Sequence, residues 1–324
     1  MNKKAITKIL IAVLLVSLVA AGCTNDTNNS AATINIAEQY GFAYAPLQIA
    51  RELKLIEKNL PGATVNWKQL SNTTEIREAM LANEVDMGFM AIPPFLIGWD
   101  KGMDWKIACG LSSSPVALVT NREEISSIKD IGDKDRIALP QPGSVQHILL
   151  SMACERELGD AKKLDNLLVT MAHPDGMNAL LAGKEITAHF TTPPYLLKEL
   201  QVKGMHEILN GKQALGKDFT FIAGVTTRKF HDEKPAEYEA VLKAVAEAMQ
   251  YIRDNRKEAV EILSSQYEMS VEEVEKNLSM EGMEYSLSIK GINDFAGFME
   301  RNGYISKSPG SIKEIVWDEK NYED

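Results

Sequence analysis

Residues 79–96 read AMLANEVDMGFMAIPPFL, and residues 179–196 read ALLAGKEITAHFTTPPYL. The two segments align without gaps, and each contains a Pro-Pro pair near its end, at 93–94 and at 193–194. Each pattern is typical of the end of a helix, a tight turn, a strand and a Pro-Pro helix start. A chance match within α/β sequence is the alternative, and the shared Pro-Pro pair argues against it. The repeat predicts two similar α/β lobes whose strands point their carboxyl ends into a shared, ligand-binding crevice.

The sequence around the repeat alternates short apolar runs with amphipathic stretches. We predict strands at 33–37, 65–70, 85–90, 136–139, 167–171 and 219–226. We predict helices at 47–58, 73–82, 94–101, 144–158, 176–182, 235–255, 256–267, 271–278 and 292–302. Thr73 or Thr74 is the expected N-cap of the second helix, Ser144 caps the fourth, and 173–176 is expected to be a turn. Strands separated by helices indicate mostly parallel sheets covered on both faces.

The N-terminus has the pattern of an export signal. The first eight residues carry three lysines and no acid, and an apolar run follows from Ile9 to Ala20. This run is too short to span a hydrocarbon core of roughly 30 Å. The following Ala-Ala-Gly-Cys resembles a lipobox, although Ala20 stands where Leu is more usual. We predict a signal peptide at 1–22, lipidation of Cys23 and a polar tether over 23–32. An ordinary signal peptide followed by an unrelated cysteine is the alternative.

Composition limits the classes of protein and partner. A chain of 324 residues suits two domains, and its net charge of −10 disfavours nucleic acid and anionic lipid surfaces as partners. Solubility is the simpler interpretation of that charge. Cys109 and Cys154 could form one disulfide, but two cysteines are no disulfide framework, and we expect buried free thiols.

Four motifs carry a resemblance to a known family. They are YAPLQIA at 44–50, AMLANEVDMG at 79–88, IKDI at 128–131 and RIALPQPGS at 136–144. Each motif alone is loose. In this order behind a lipobox, they make the chain similar to ABC transporter substrate-binding lipoproteins of the nitrate, sulfonate and taurine group, which includes thiamine-precursor binders. The resemblance covers nearly all of the chain after the signal peptide.

This resemblance implies an α/β, two-lobed periplasmic-binding-protein fold of type II-like form, closing on its ligand like a clamshell. Lobe one would comprise 33–118 plus 219–324 and lobe two 119–218, with crossings near 116–121 and 218–224. The implied function is capture of a small sulfonate-, nitrate-, taurine- or pyrimidine-like molecule for an ABC permease and ATPase. The implied protein is a monomer without a nucleic-acid partner, anchored by lipid on the extracytoplasmic side of the cell membrane.

Strand ends at the predicted crevice supply candidate ligand-binding residues from the first lobe: Glu38, Tyr40, Phe42, Tyr44, Met90, Pro93 and Ser113. Aromatic side chains at alternating positions can stack on a flat ligand. Phe42 fits the core of the lobe equally well.

The second lobe supplies its own candidates: Gly143, Ser144, Gln146, His147, His173, Thr191 and Thr192. The helix start at 143–145 would expose unpaired backbone N–H groups, which suit an anionic or strongly polar group. Ser144 acting only as an N-cap is compatible with binding.

Lysine and arginine are absent from the candidate loops, which are 38–44, 89–95, 112–115, 140–147 and 190–195. A sulfonate or carboxylate there would depend on helix N-termini and hydroxyl groups. A neutral, heteroaromatic ligand fits at least as well, and Glu38 could face an amino group. The implied anionic ligand and a neutral one therefore both stay open.

Other functions have weaker signals. His147, His173 and His189 with Asp175 lack the tight spacing of a metal site, so we expect no metal and no cofactor. An enzyme on the same fold would need a nucleophile or an acid–base pair, and no spacing of Cys109 with these residues points to a triad. We therefore expect a binding protein without catalytic residues. A ligand sensor for a membrane receptor is the remaining alternative.

Overall fold

Two five-stranded sheets form the framework of the protein, which we describe from a computed structural model covering residues 32–323. The signal peptide predicted at 1–22 and the lipidation site predicted at Cys23 lie outside the described residues. The strands are β1 (Thr33–Glu38), β2 (Thr64–Gln69), β3 (Met87–Ala91), β4 (Trp105–Ser112), β5 (Ala117–Thr120), β6 (Ile137–Leu139), β7 (Leu168–Thr170), β8 (Ala188–Thr191), β9 (His206–Asn210) and β10 (Ile222–Thr227).

The two sheets have the same topology. The strand order is β2-β1-β3-β10-β4 in the first and β7-β6-β8-β5-β9 in the second. In each sheet one strand is antiparallel to its neighbours, β10 between β3 and β4, and β5 between β8 and β9. Each of these strands is where the chain enters a sheet from the other one. The prediction of two similar, mostly parallel α/β sheets is confirmed.

Helices flank both sheets. They are α1 (Ala45–Glu52), α2 (Leu55–Asn59), α3 (Thr73–Leu81), α4 (Ile92–Asp100), α5 (Val145–Leu158), α6 (His173–Ala182), α7 (Tyr195–Leu200), α8 (Gly211–Leu215), α9 (Arg228–Glu233), α10 (Pro235–Asp254), α11 (Arg256–Tyr267), α12 (Val271–Leu278) and α13 (Ile292–Arg301). Short 3-10 helices lie at Phe42–Tyr44, Ile128–Asp130, Asp165–Leu167, Ile312–Glu314 and Glu319–Asn321. None of the helices within 32–323 has the length and hydrophobicity of a transmembrane span.

We call each sheet with its flanking helices a lobe: lobe one surrounds the first sheet and lobe two the second. The segments between the sheets run from β4 to β5 and from β9 to β10. The finer boundaries at 118 and 219 stay predictions.

The repeat occupies equivalent places in the two sheets. Its strand is β3 in the first copy and β8 in the second, and each is the third strand in its sheet. The turn before the strand has a left-handed residue in both copies, Asn83 at φ 56° and Gly183 at φ 64°. Asparagine and glycine are the residues that tolerate this conformation best. The tight turn predicted from the repeat is therefore present in both lobes.

Three local predictions are wrong, each for an identifiable reason. The helix predicted at 47–58 is broken into α1 and α2, because Lys54 adopts a left-handed conformation at φ 50°. The N-cap of α3 is Asn72, whose side chain accepts a hydrogen bond from the Glu75 backbone N–H, rather than Thr73 or Thr74. Residues 173–176 form the first turn of α6, since proline is accepted at the start of a helix.

Both remaining cysteines are buried free thiols. Burial raises the pKa of Cys109 and of Cys154 to about 12. The expectation that Cys109 and Cys154 are buried free thiols is therefore confirmed.

Asp86, in the turn before β3, ties three parts of lobe one together. Its carboxylate accepts hydrogen bonds from the Asn35 backbone N–H at 2.8 Å and from the Asn35 side-chain amide at 3.0 Å. Its backbone oxygen accepts one from the buried Thr226 hydroxyl at 2.7 Å, and Lys234 lies 3.4 Å from the carboxylate. These bonds set the relative positions of β1, β3 and β10.

Replacing Asp86 by Ala should lower the free energy of unfolding by about 1–3 kcal/mol, because it leaves the Asn35 donors unpaired. Urea unfolding followed by circular dichroism measures the change. Glu84→Ala is the matched control, since Glu84 makes an exposed ion pair with Lys68 in the same turn region. Such surface pairs contribute little, so the control should change stability less. Equal effects of the two variants would contradict the structural role of Asp86.

Candidate ligand-binding cleft

A cleft lies where the carboxyl ends of the parallel strands of both sheets meet, and its empty space, open solvent included, is about 410 Å³. Its lining residues come from both lobes: Gln39, Tyr40, Tyr44, Thr73, Ala91, Pro94, Pro140, Gln141, Ser144, Val145, Gln146, His173, Thr192, Phe221 and Ile222. None of these residues is an arginine, lysine, aspartate or glutamate. Amide, hydroxyl, imidazole and aromatic groups are therefore the chemistry available to a ligand.

Several helices begin beside the cleft. Tyr44 precedes α1, Thr73 opens α3, Pro94 lies in the first turn of α4, Val145 opens α5 and His173 opens α6. The first turn of a helix has backbone N–H groups without intrahelical partners and a partial positive charge. The cleft therefore favours electron-rich groups although its lining side chains are uncharged.

The start of α5 is held by its own side chains. Ser144 is the N-cap and accepts a hydrogen bond from the His147 backbone N–H at 3.3 Å, as predicted. The His147 ring accepts a hydrogen bond from the Gly143 N–H at Nδ1 (2.8 Å) and lies 3.1 Å from Asp165 through Nε2. His147 thus fixes the loop instead of lining the cleft.

The two lobes touch across the cleft. The Phe42 N–H donates to the Pro193 carbonyl at 3.1 Å, and the Thr74 hydroxyl lies 3.0 Å from the Gln141 side-chain oxygen. Gly41 has φ 111°, and a Cβ on it would lie 2.9 Å from the Pro193 oxygen. The structure is therefore a closed form, and Gly41 is what permits the close approach.

The predicted site residues divide into two groups. The structure brings six of them to the cleft lining: Tyr40, Tyr44, Ser144, Gln146, His173 and Thr192. The others lie outside that lining: Glu38, Phe42, Met90, Pro93, Ser113, Gly143, His147 and Thr191. Several of these side chains pack against or form hydrogen bonds with other residues, as follows.

Glu38 is buried at the end of β1, with 1% of its surface exposed. Gln48 donates a hydrogen bond to its carboxylate at 2.7 Å, and Arg51 lies 3.5 Å away. Burial raises the pKa of Glu38 to about 7, while the Gln48 hydrogen bond and the Arg51 charge oppose that rise. Arg51 is thus paired with Glu38 and lies outside the cleft lining.

Phe42 packs into lobe one. Its ring stacks on Tyr267 at a centroid distance of 4.3 Å, and its surface is fully buried. The Tyr267 hydroxyl donates to the Gly41 carbonyl at 3.0 Å, and the Tyr285 hydroxyl donates to the Phe42 carbonyl at 2.8 Å. The two tyrosines hold the loop that meets Pro193, and neither is among the residues predicted from the sequence.

Ser113 and Thr191 lie near the segments that connect the sheets. The Ser113 hydroxyl donates to the Phe219 carbonyl at 3.0 Å, joining the two crossing segments. The Thr191 hydroxyl is fully buried and has no hydrogen-bond partner among the described residues. Ser113 therefore contributes to the connection between the lobes.

Some lining residues are not among those predicted from the sequence. Gln39 and Pro140 directly follow parallel strands and Gln141 comes one residue later, so the strand-end rule extended by two residues finds all three. Phe221 and Ile222 lie at the start of antiparallel β10, where that rule does not apply. Among residues 32–323, no group of three or more histidine, cysteine, aspartate or glutamate side chains has the arrangement of a metal site.

Comparison with known proteins matches this architecture. A protein of Bacillus subtilis (strain 168) that carries the name of an aliphatic sulfonates-binding protein is 24% identical over 98% of this chain and 95% of its own length. The structure of the alkanesulfonate-binding protein SsuA from Xanthomonas axonopodis pv. citri, bound to MOPS, superposes with a TM-score of 0.73 at 18% identity. It covers 88% of this chain and 98% of that one.

The periplasmic nitrate-binding protein NrtA from Synechocystis PCC 6803 has the same fold, with a TM-score of 0.70 at 16% identity, over 89% of this chain and 86% of that one. These likenesses establish a two-lobed periplasmic-binding-protein fold. The sequence model of the NMT1-like family matches residues 30–264, most of the chain. The protein belongs to the NMT1-like family.

Proposed function

We propose that the protein is the extracytoplasmic solute-binding component of an ABC importer. It captures a small organic molecule between its lobes and delivers it to a membrane permease. The observation that carries this proposal is the cleft at the carboxyl ends of both sheets, lined from both lobes and without lysine, arginine, aspartate or glutamate side chains. Ligand binding there joins the lobes, and the joined form is what a permease would recognise.

Hydrogen bonds and aromatic contacts, rather than ion pairs, would select the ligand. Gln39, Gln141 and Gln146 offer amides, while Tyr40 and Phe221 offer aromatic faces. Helix starts supply N–H donors for an oxyanion, so a sulfonate and a pyrimidine-like ring both match the lining. The similarity to alkanesulfonate- and nitrate-binding proteins supports a small-molecule ligand.

Binding is favoured over catalysis by the state of the candidate nucleophile. Cys109 is buried, lies outside the cleft lining and has its pKa raised to about 12 by burial. A thiol in this state is a poor nucleophile.

Attachment to the membrane would come from the N-terminus. We infer that Cys23 is lipidated after removal of residues 1–22 and that residues 23–32 tether a monomeric body to the extracytoplasmic face of the cell membrane. The lipobox-like sequence before Cys23 supports this inference.

Calorimetry of the mature protein against alkanesulfonates, pyrimidines and small carboxylic acids should reveal one bound class. Ser144→Ala should weaken that binding about tenfold, because it removes a hydroxyl and an N-cap at the cleft. Ser270→Ala is the matched control, since Ser270 caps α12 through the same bond to a backbone N–H and lies outside the cleft lining. Both variants should lose some stability. No binding by folded protein across the panel would contradict the proposed function.

Gly41→Ala should lower affinity by at least about tenfold, because the added methyl group meets the Pro193 oxygen when the lobes close. Small-angle scattering with and without ligand would show an extended form that no longer compacts. Gly62→Ala is the control, since Gly62 also has a positive φ but a Cβ there meets nothing within 4 Å. Unchanged affinity in Gly41→Ala would argue against closure at this contact.

Cys23→Ser should abolish fatty-acid labelling and move the protein from the detergent phase to the aqueous phase in a detergent-partition assay. Cys109→Ser keeps the lipobox and should partition as the wild type does. Detergent-phase partition of the Cys23→Ser variant would contradict the lipid anchor.

A further inference from the structure

Four side chains of lobe two form one hydrogen-bonded chain from the core to the cleft. Glu199 Oε1 lies 2.6 Å from His189 Nδ1, and His189 Nε2 lies 3.3 Å from His173 Nδ1. His173 Nε2 lies 3.2 Å from the side-chain nitrogen of Gln146. His173 and Gln146 line the cleft, whereas His189 and Glu199 are fully buried. We call these four residues the relay.

The fold makes room for the relay. Gly176 in α6 faces the His189 ring, and a Cβ on it would lie 2.6 Å from His189 Nε2. Tyr195, at the start of α7, stacks on His173 at a centroid distance of 5.9 Å. Any larger residue at 176 would push the ring out of reach of His173. The relay is therefore fixed by packing as well as by hydrogen bonds.

Burial determines which relay groups carry protons. It lowers the pKa of His173 and of His189 to about 3, so both rings are neutral near pH 7. It raises the pKa of Glu199 to about 9, so this side chain is a neutral acid there. The other oxygen, Glu199 Oε2, has no hydrogen-bond partner among the described residues. The acid proton is therefore best placed on Oε1, where it donates to His189 Nδ1.

That choice fixes the direction of every bond in the relay. A neutral imidazole has one N–H, so a ring that accepts at Nδ1 must donate at Nε2. His189 then donates to His173, and His173 donates to Gln146, which must present its amide oxygen. The Gln146 NH₂ group is left facing the cleft as a donor.

The opposite direction uses the same atoms. Gln146 donates from its nitrogen to His173 Nε2, the orientation in the present structure, and both rings then carry their proton on Nδ1. That arrangement requires either an ionised Glu199 or an acid proton on Oε2 without an acceptor. The Gln146 oxygen would then face the ligand. The two directions thus give the cleft opposite hydrogen-bonding character.

We propose that Glu199, acting through His189 and His173, makes Gln146 a hydrogen-bond donor and so selects ligands that present an acceptor at this point. An oxyanion oxygen or an aromatic ring nitrogen has that chemistry. The proposal rests on the proposed binding function. It adds Glu199 as a specificity determinant, separated from the ligand by His189, His173 and Gln146. Glu199 and His189 are positioning residues, since neither reaches the cleft.

Other titratable groups near the relay are few. Tyr195 stacks on His173, and burial, with smaller contributions from Tyr40 and Asp175, raises the pKa of Tyr195 to about 12. Lys198 precedes Glu199 on α7 and is exposed. Across the cleft, Glu38 has its pKa raised to about 7 by burial and is paired with Arg51. Between about pH 7.5 and about pH 10.5, the change assigned to the relay is therefore ionisation of Glu199.

Histidine ¹⁵N NMR of the ligand-free protein tests the relay independently of any ligand. At about pH 7.5, His173 and His189 should both carry their proton on Nε2, and at about pH 10.5 both should carry it on Nδ1. Glu199→Gln should keep both rings in the Nε2–H form at each pH, because its NH₂ group donates to His189 Nδ1. A wild-type His189 in the Nδ1–H form at the lower pH overturns the relay.

Calorimetry with two acceptor-only probes, ethanesulfonate and pyrimidine, tests the link to the ligand. Wild-type affinity for the probe that binds should fall about tenfold, or about 1.4 kcal/mol, at the higher pH. Glu199→Gln should bind equally at both pH values, and Glu207→Gln, the same change at an exposed site, should behave as the wild type does.

These outcomes distinguish the protonation pattern of the relay from the selection of a hydrogen-bond acceptor by Gln146. A fall in affinity that persists in Glu199→Gln overturns the relay as its cause. Binding of neither probe, with the expected ring protonation, overturns acceptor selection while the relay stands. Correct ring protonation with binding only of donor-bearing ligands overturns the assigned direction at Gln146.

Discussion

The constraint on which the rest of the structure depends is the common direction of the parallel strands. Four strands in each sheet run the same way, so their carboxyl ends lie at one edge, and the helices that follow begin there. The antiparallel strands β5 and β10 turn the two edges toward one cleft. Helix N-termini from both lobes therefore surround the cleft, and they give it positive character without a lysine or arginine in the lining.

The uncharged lining is supported by a titratable layer behind it. Arg51 and Glu38 lie under the loop after β1, and Tyr267 and Tyr285 hold the carbonyl groups of that loop. In lobe two, His147 bonds the loop before α5. Buried groups of this kind require their hydrogen-bond partners, so they restrict the lining loops to one arrangement. The shape of the cleft lining thus depends in part on residues that do not line it.

The sequence was sufficient for two similar, mostly parallel sheets and for part of the site, but it did not predict β4, β5 and β9. The repeat predicts two equivalent sheets, because two copies of the same helix–turn–strand unit are expected to pack in the same way. The strand-end rule places Tyr40 and Thr192 at the cleft, and the predicted helix start at 143–145 places Ser144 there, as the structure also does. It fails for Phe221, because β10 runs antiparallel. Tyr267 was beyond reach for another reason: it meets Gly41 across more than two hundred residues, and no local pattern encodes such a contact.

The two lobes share a topology but differ at the positions of the relay. At the equivalent sites, which differ by one hundred in number, lobe one has Thr73 for His173, Phe89 for His189 and Trp99 for Glu199. Phe89 is fully buried, as an apolar side chain in a sheet core should be.

Burying a histidine and a carboxylic acid instead costs free energy that a phenylalanine and a tryptophan would not, and hydrogen bonds recover only part of it. Lobe one packs with the apolar Phe89 in its sheet core, and its Trp99 is only partly buried, so it has no buried polar pair at these positions. Stability alone therefore does not account for His189 and Glu199 in lobe two. A role in setting the hydrogen-bonding direction at Gln146 does, because it requires a buried proton donor that water cannot reach.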